Sequence, residues 1–572
     1  MKQSAFYVFP LVLLASSLCL SVSPGQSTQK AEQDNATSSQ SLYQILSAEM
    51  AIDREAPEIA LANYIAAAKE TQDPKIAERA TQIALALSSL EVALEPARIW
   101  AENAKNNLEA QITVAAIYIR LNKIEEALPF LQAGEGLESH EAYQYFLVLY
   151  RQLQKEAEEG PLVVKALEML TERAPHLNAA FLALAEIYLY QDQAPQALAL
   201  SGKALKNDPH STIGIQIHTE SLLRTAGKEK AKLFLDEAKH SLPKNPTDYA
   251  FYRYYCQFLV QNDYLALAKQ EMTLLSQDPA LPVQDLLQFA RLAMHAKWYD
   301  LAHKQLIRAS ASPDNKELAF YMLGRLAEAQ NNTEQAVAYF KQVLTGPFHV
   351  LSQIRASVLL SEKGDYAGGL TVLSRAQAQD PADQKQILLS TVELFKKAQR
   401  VPEALVLLNT KIEEEPNEIE YRYARSLVAT QLNNIELAMG DLKTILSLDP
   451  NHLESLNALG FILADKTKNF DEAKQYLTQA LSLSPNNASV LDSLGWLQYK
   501  MGDYQASVET LKKAEKIMPD AEIAAHLGEV LWKMKEFDSA KQTWQRALSH
   551  YPKNESVLKV MHHLINEKQS LN

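Results

Sequence analysis

A Leu-Gly dipeptide returns at Leu459-Gly460, Leu494-Gly495 and Leu527-Gly528, and this recurrence constrains the chain more than any other feature. The spacings are about 35 and 33 residues, a period that marks a repeat array rather than a set of independent domains. Ala480, Ala514 and Ala547 recur in phase, and Pro485, Pro519 and Pro552 close the same units. Upstream, Leu323-Gly324 with Ala336 and Phe340 keeps the phase, as do Ala290, Ala302, Leu306 and Ala309, and Leu184-Ala185 with Tyr188, Ala197, Ala204 and Pro209. Weaker echoes occur at Ala115, Tyr118 and Ala127 and at Ala48, Ala60 and Ala67, while residues 76–107 and 141–175 are degenerate. Apolar positions at i, i+3, i+4 and i+7 describe buried helix stripes. Small residues mark where two helices approach, and proline ends the second helix because it has no N–H to donate.

The pattern resembles the tetratricopeptide repeat, a pair of antiparallel helices of about 34 residues. From Leu42 to Pro552 the chain holds about 15 such units. One unit cannot bury both its faces, so units stack. The expected fold is all-α: a right-handed superhelical solenoid of about 15 tetratricopeptide-type helix pairs. We divide it into a degenerate N-terminal array over 42–280, a C-terminal array over 281–552, and a capping helix and tail over 553–572.

Composition agrees with a helical assembly. Glycine is 17 of 572 residues, well under the usual share of about 7%, which leaves little material for tight turns or phosphate cradles. The formal charge of −13, without any Lys/Arg-rich run, argues against nucleic acid and for protein partners.

The N-terminus reads as an export address. Met1-Lys2 precedes an apolar run from Phe6 to Leu20, too short to span a bilayer, and small residues follow at Ser21-Val22-Ser23. Residues 1–23 are therefore expected to be a signal peptide and 24–41 a flexible polar tether, with the protein exported to the periplasm. Leu18 before Cys19 makes a poor lipobox, so an outer-membrane lipid anchor has little support. No later stretch is apolar enough to be an integral membrane segment. The other cysteine, Cys256, lies in repeat phase with Ala268 and reads as a small buried hydrophobe.

Spacings that carry chemistry are missing. There is no Gly-x-x-x-x-Gly-Lys-Ser/Thr loop, Gly-x-Gly-x-x-Gly, Gly-x-Ser-x-Gly or His-Glu-x-x-His. His562-His563 point about 100° apart on a helix and read as an exposed end, and Glu413-Glu414-Glu415 before Pro416 as a solvated turn. The aromatic run Tyr249–Tyr255 places Tyr252 and Tyr255 toward the core. We expect no catalytic residues, no metal and no cofactor: the chain is not an enzyme.

In such an array the first helix of each pair lines the groove. Projecting the phase onto the last three pairs gives Asn457 and Phe461, then Asp492, Trp496 and Tyr499, then Glu529, Trp532 and Lys533 as candidate protein-binding residues. Aromatics among mixed polar groups suit binding hot spots. The alternative for Trp496 and Trp532 is that they brace neighbouring helices.

The segments Leu491-Asp492-Ser493-Leu494-Gly495-Trp496 and Ala524-Ala525-His526-Leu527-Gly528-Glu529-Val530-Leu531-Trp532 resemble one family of exported proteobacterial tetratricopeptide proteins. Its members include an outer-membrane lipoprotein adaptor that binds a periplasmic carboxyl-terminal processing protease and brings it peptidoglycan hydrolases. The resemblance implies a non-enzymatic scaffold whose partners are a protease and its substrates. The same fold serves an assembly factor for a pilus, secretion or polysaccharide-export machine, and self-association is left open.

Overall fold

A computed structural model describes residues 39–133, 139–154, 160–243, 248–552 and 554–570. The signal-peptide reading, Cys19 and residues 24–38 of the tether lie outside the described residues. Within them the chain forms 31 α-helices and no strand. Consecutive helices pair from Ser39–Asp53 with Pro57–Thr71 to Ala521–Lys533 with Phe537–His550, giving fifteen pairs, and Glu555–Ser570 follows as a single last helix. The helices fall into two compact units, one ending at Asp248 and the other beginning at Tyr249.

Local chemistry sets the helix ends. Asn434, Asn487, Asp503 and Asp520 each accept hydrogen bonds from backbone N–H groups of the turn that follows, satisfying donors that a helix start otherwise leaves bare. The scarcity of glycine does not limit the turns as its count suggested. Between the two helices of a pair the chain passes through the left-handed region at Asn122, Asp192, Asp263, Asn331 and Asn433, and also at Lys297, Gln399 and Lys535. Asn and Asp tolerate that conformation better than most side chains. Glycine takes the same turn position at Gly364 and Gly502.

The glycine of the Leu-Gly pair has a different task. A Cβ on Gly495 would lie 2.6 Å from the Leu511 side chain, and one on Gly528 would lie 2.0 Å from the indole nitrogen of Trp544. The first helix thus receives a large side chain of the second helix about 16 positions on, and the missing methyl is what lets the two helices close up. Side chains also staple one pair to the next. The Asn207 amide donates to the Pro175 carbonyl at 3.1 Å, Arg308 to that of Pro279 at 2.8 Å and Gln479 to that of Pro450 at 2.9 Å.

The cores of the two units differ. From Ala48 to Ile217 the N-terminal unit holds one continuous apolar cluster. In the second unit the described apolar residues form several shorter clusters, Cys256 to Leu326, Ala327 to Val372, Leu388 to Val428, Ala429 to Leu497, and Val508 to Val557, with two small ones interleaved between Leu456 and Ile523. Cys256 is buried in the first of these, and Tyr255 is buried while Tyr252 is half-buried. Polar groups fill the seams. Glu328 pairs with Arg325 and Arg355. Asp441, 2% exposed, takes Arg422 at 3.0 Å and Arg425 at 2.7 Å.

Candidate functional site

The first helices of the last three pairs are Leu453–Lys466, Ala488–Lys500 and Ala521–Lys533. Each buries one stripe against its partner helix, which leaves the remaining positions to meet the equivalent helices on either side.

Trp496 lies at the centre of what results. Its indole N–H donates to Asp465 Oδ1 at 3.0 Å. Its ring stacks on the His526 imidazole with centroids 4.2 Å apart, and the Lys500 ammonium sits 4.9 Å from its ring centre. Lys500 also reaches Asp465 at 3.0 Å. His526 Nδ1 donates to Asp492 at 2.9 Å, and Phe461 lies 6.0 Å from the same imidazole. Beside this group the Tyr499 hydroxyl donates to Glu529 at 3.1 Å. Three helices are therefore joined by one aromatic and charged network.

The electrostatics follow from that arrangement. Burial pushes the Asp465 carboxyl up, but hydrogen bonds from Lys466, Trp496 and Lys500 outweigh it and hold the group at about 2. Burial pulls the His526 imidazole down, and its bond to the Asp492 carboxylate overcomes this, so the ring protonates above the usual histidine range. Burial and the adjacent Glu529 both push the Tyr499 phenol up, keeping it a donor.

Of the eight residues read from the repeat phase, Phe461, Asp492, Trp496, Tyr499 and Glu529 come together here. Trp496 is 6% and Asp492 7% exposed, so both contribute from beneath the surface, whereas Phe461, Tyr499 and Glu529 are half-exposed. Trp532 turns to a different neighbourhood, edge-on to Phe537 at 4.8 Å and 5.7 Å from Trp544. Lys533 is exposed at the helix end. Asn457 is half-buried, and its side-chain oxygen has no hydrogen-bond partner. Sequence reasoning missed Asp465, Lys500 and His526. One signal was present: Asp492 and His526 lie one repeat period apart, where a carboxylate and an imidazole on successive first helices can meet. Among the described residues no group of three or more His, Cys, Asp or Glu could hold a metal ion, and no helix is long and apolar enough to cross a membrane.

The tetratricopeptide repeat family matches residues 466–526, and a second profile of that name matches 318–345 and 526–554. These segments are similar to tetratricopeptide repeats. The chain is 27% identical over 500 residues to a tetratricopeptide repeat-containing protein of Pseudomonas aeruginosa, covering 87% of this chain and 84% of that protein. Among solved structures, a tetratricopeptide repeat protein from Parabacteroides merdae is 16% identical with a TM-score of 0.37, covering 44% of this chain and 98% of its own. The APC/C hetero-tetramer Cut9–Hcn1 is 13% identical with a TM-score of 0.33, covering 92% of this chain and 96% of its own.

Proposed function

We propose that the chain is an exported, periplasmic scaffold that binds other proteins along its helix pairs and performs no bond chemistry itself. In this reading it brings cell-wall hydrolases to a carboxyl-terminal processing protease. Co-binding raises the local concentration of the substrate at the protease without any new catalytic group. The observation that carries the binding role is the network around Trp496. It fixes the half-exposed Phe461, Tyr499 and Glu529 on helices that are tied to one another, so little rotamer freedom remains to be lost on contact with a partner. The protease and hydrolase identities rest on the resemblance at residues 491–496 and 524–532.

The test is affinity capture from a native envelope extract, with wild type compared with a Phe461→Ala/Lys533→Glu variant. Lys533 lies outside the network and Phe461 meets it only at the His526 ring, so the helix content should be unchanged by circular dichroism. Recovery of a carboxyl-terminal processing protease with peptidoglycan hydrolases, lost in the variant, is expected. Recovery of pilus, secretion or exporter components instead would sink the protease reading and leave a scaffold for an envelope machine.

A further inference from the structure

The two ends of the helix array are finished differently. At the C-terminal end the single helix Glu555–Ser570 covers Ala521–Lys533 and Phe537–His550. It buries Val557, packs Val560, Met561 and Leu564 inward, and presents His562 and His563 to water. At the other end, Ser39–Asp53 buries Ser41, Ala48 and Ala51 against its partner helix. Its opposite face carries Leu42, Tyr43, Leu46 and Met50, exposed by 53%, 71%, 56% and 53%. A terminal repeat that ends in water needs a polar outer face. This one has the apolar stripe of an interior repeat.

On the reading that residues 1–23 are a signal peptide, the segment left ahead of this helix offers little apolar material to cover it. Residues 24–38 contain no apolar side chain larger than proline or alanine. The stripe is instead complementary to itself. Leu42, Leu46 and Met50 follow one another at i, i+4 and i+8, on one side of a helix. Two such helices crossing antiparallel at Leu46 set Leu42 of each against Met50 of the other, the arrangement a two-fold axis requires. Charge selects the same orientation. The helix holds no Lys or Arg, and its two acids, Glu49 and Asp53, lie toward its C-terminus. Glu49 is held by the Tyr64 hydroxyl of its own pair, and antiparallel pairing brings Asp53 to the positive N-terminal end of the facing helix, whereas parallel pairing would place acid on acid.

We propose that this face is covered by a second copy of the chain, giving a two-fold dimer through the helix Ser39–Asp53. The proposal does not depend on the identity of the protein clients.

Sedimentation equilibrium of the full protein as exported, with its N-terminus read by mass spectrometry, tests it. Wild type is expected at twice the chain mass at about 10 µM, a concentration at which a specific interface of modest affinity is populated. Leu46→Asp should weaken association roughly 100-fold, as loss of a central apolar anchor does, with unchanged circular dichroism. Leu46→Cys should form a disulfide-linked dimer on mild oxidation, since the symmetry axis brings each copy of that position beside the other. A wild type that stays monomeric overturns the proposal, with or without a retained leader. So does a dimer that persists in Leu46→Asp. Pelleting of monomer with phosphatidylethanolamine–phosphatidylglycerol vesicles, abolished by Leu46→Asp, would also overturn it and assign the face to lipid.

Discussion

The half of the chain whose repeat is hardest to read has the more continuous core, and the half whose repeat is plainest is the more divided. From Ala48 to Ile217 apolar side chains run on without a break, and ion pairs such as Lys69–Glu95 and Arg173–Glu125 stay exposed at the surface. Beyond Tyr249 the apolar clusters are shorter, and among them lie Glu328 and Asp441 with arginine partners and Asp492 with His526. A regular motif specifies how the two helices of a pair meet. It does not specify what joins one pair to the next. In the first unit a continuous apolar core joins them, with hydrogen bonds such as Asn207 to Pro175 beside it; in the second, buried ion pairs and hydrogen bonds carry more of that work. Around Trp496 such joints hold the half-exposed Phe461, Tyr499 and Glu529 at the surface between helices. For that reason the proposed client-binding face lies in the second unit.

The sharpest way to break this contrast is to remove a joint. Arg425 reaches back to Asn409 of the preceding pair at 2.8 Å and is held in place by Asp441 of its own pair; Asp441→Leu removes that support and leaves Arg422 and Arg425 without their shared carboxylate, a loss of about 3–5 kcal/mol for a broken buried pair. Hydrogen exchange should quicken in the helices Pro381–Lys397 through Ile435–Leu448 and remain unchanged between Ser39 and Ser241. Uniform quickening through both units would mean that the joints are not local. Replacing Arg422 and Arg425 with Met in the same variant should recover part of the loss.

A smaller effect separates the pair from the joint. Gly528→Ala drives a methyl into the Trp544 indole, and overpacking of this kind costs about 1–3 kcal/mol. Gly440, inside the helix Ile435–Leu448, has nothing near its missing Cβ. Gly440→Ala should therefore stabilise by about 0.5–1 kcal/mol. Thermal unfolding of the two variants checks the opposite signs.

The Leu-Gly pairs, the in-phase alanines and the closing prolines were legible because a repeat writes its tightest contacts at fixed intervals. The fifteen pairs and the last helix follow from them. What stayed hidden depends on contacts between repeats. Asp465 reaches Trp496 across 31 residues and Asp492 reaches His526 across 34, and no local pattern announces either. Trp496 shows the limit well. Its position on the first helix was readable, but its burial under His526 and Lys500 is set by side chains of three different helices. The turns hid their chemistry similarly, since Lys297, Gln399 and Lys535 adopt a conformation their residue type does not advertise.

The joint at His526 responds to pH. Its folded state holds the proton more tightly than an unfolded chain, through Asp492. Stability from this pair is therefore fully present below about pH 6.5, the ordinary histidine value, and is lost as pH rises through the higher folded value. The melting temperature of the last three pairs should fall from about pH 6 to about pH 8, and His526→Gln should flatten that slope. A melting temperature that rises over the same interval in wild type would contradict the assignment. Least disruptive of all, Lys533→Glu should leave stability within about 0.5 kcal/mol of wild type, as exposed substitutions do, while reducing partner capture.

The most direct measurement is hydrogen exchange of the chain alone and with a captured partner bound. The account predicts new protection concentrated on Leu453–Lys466, Ala488–Lys500 and Ala521–Lys533, with the largest change around Phe461, Tyr499 and Glu529. Protection confined to the unit that ends at Asp248, with these three helices unchanged, would contradict it.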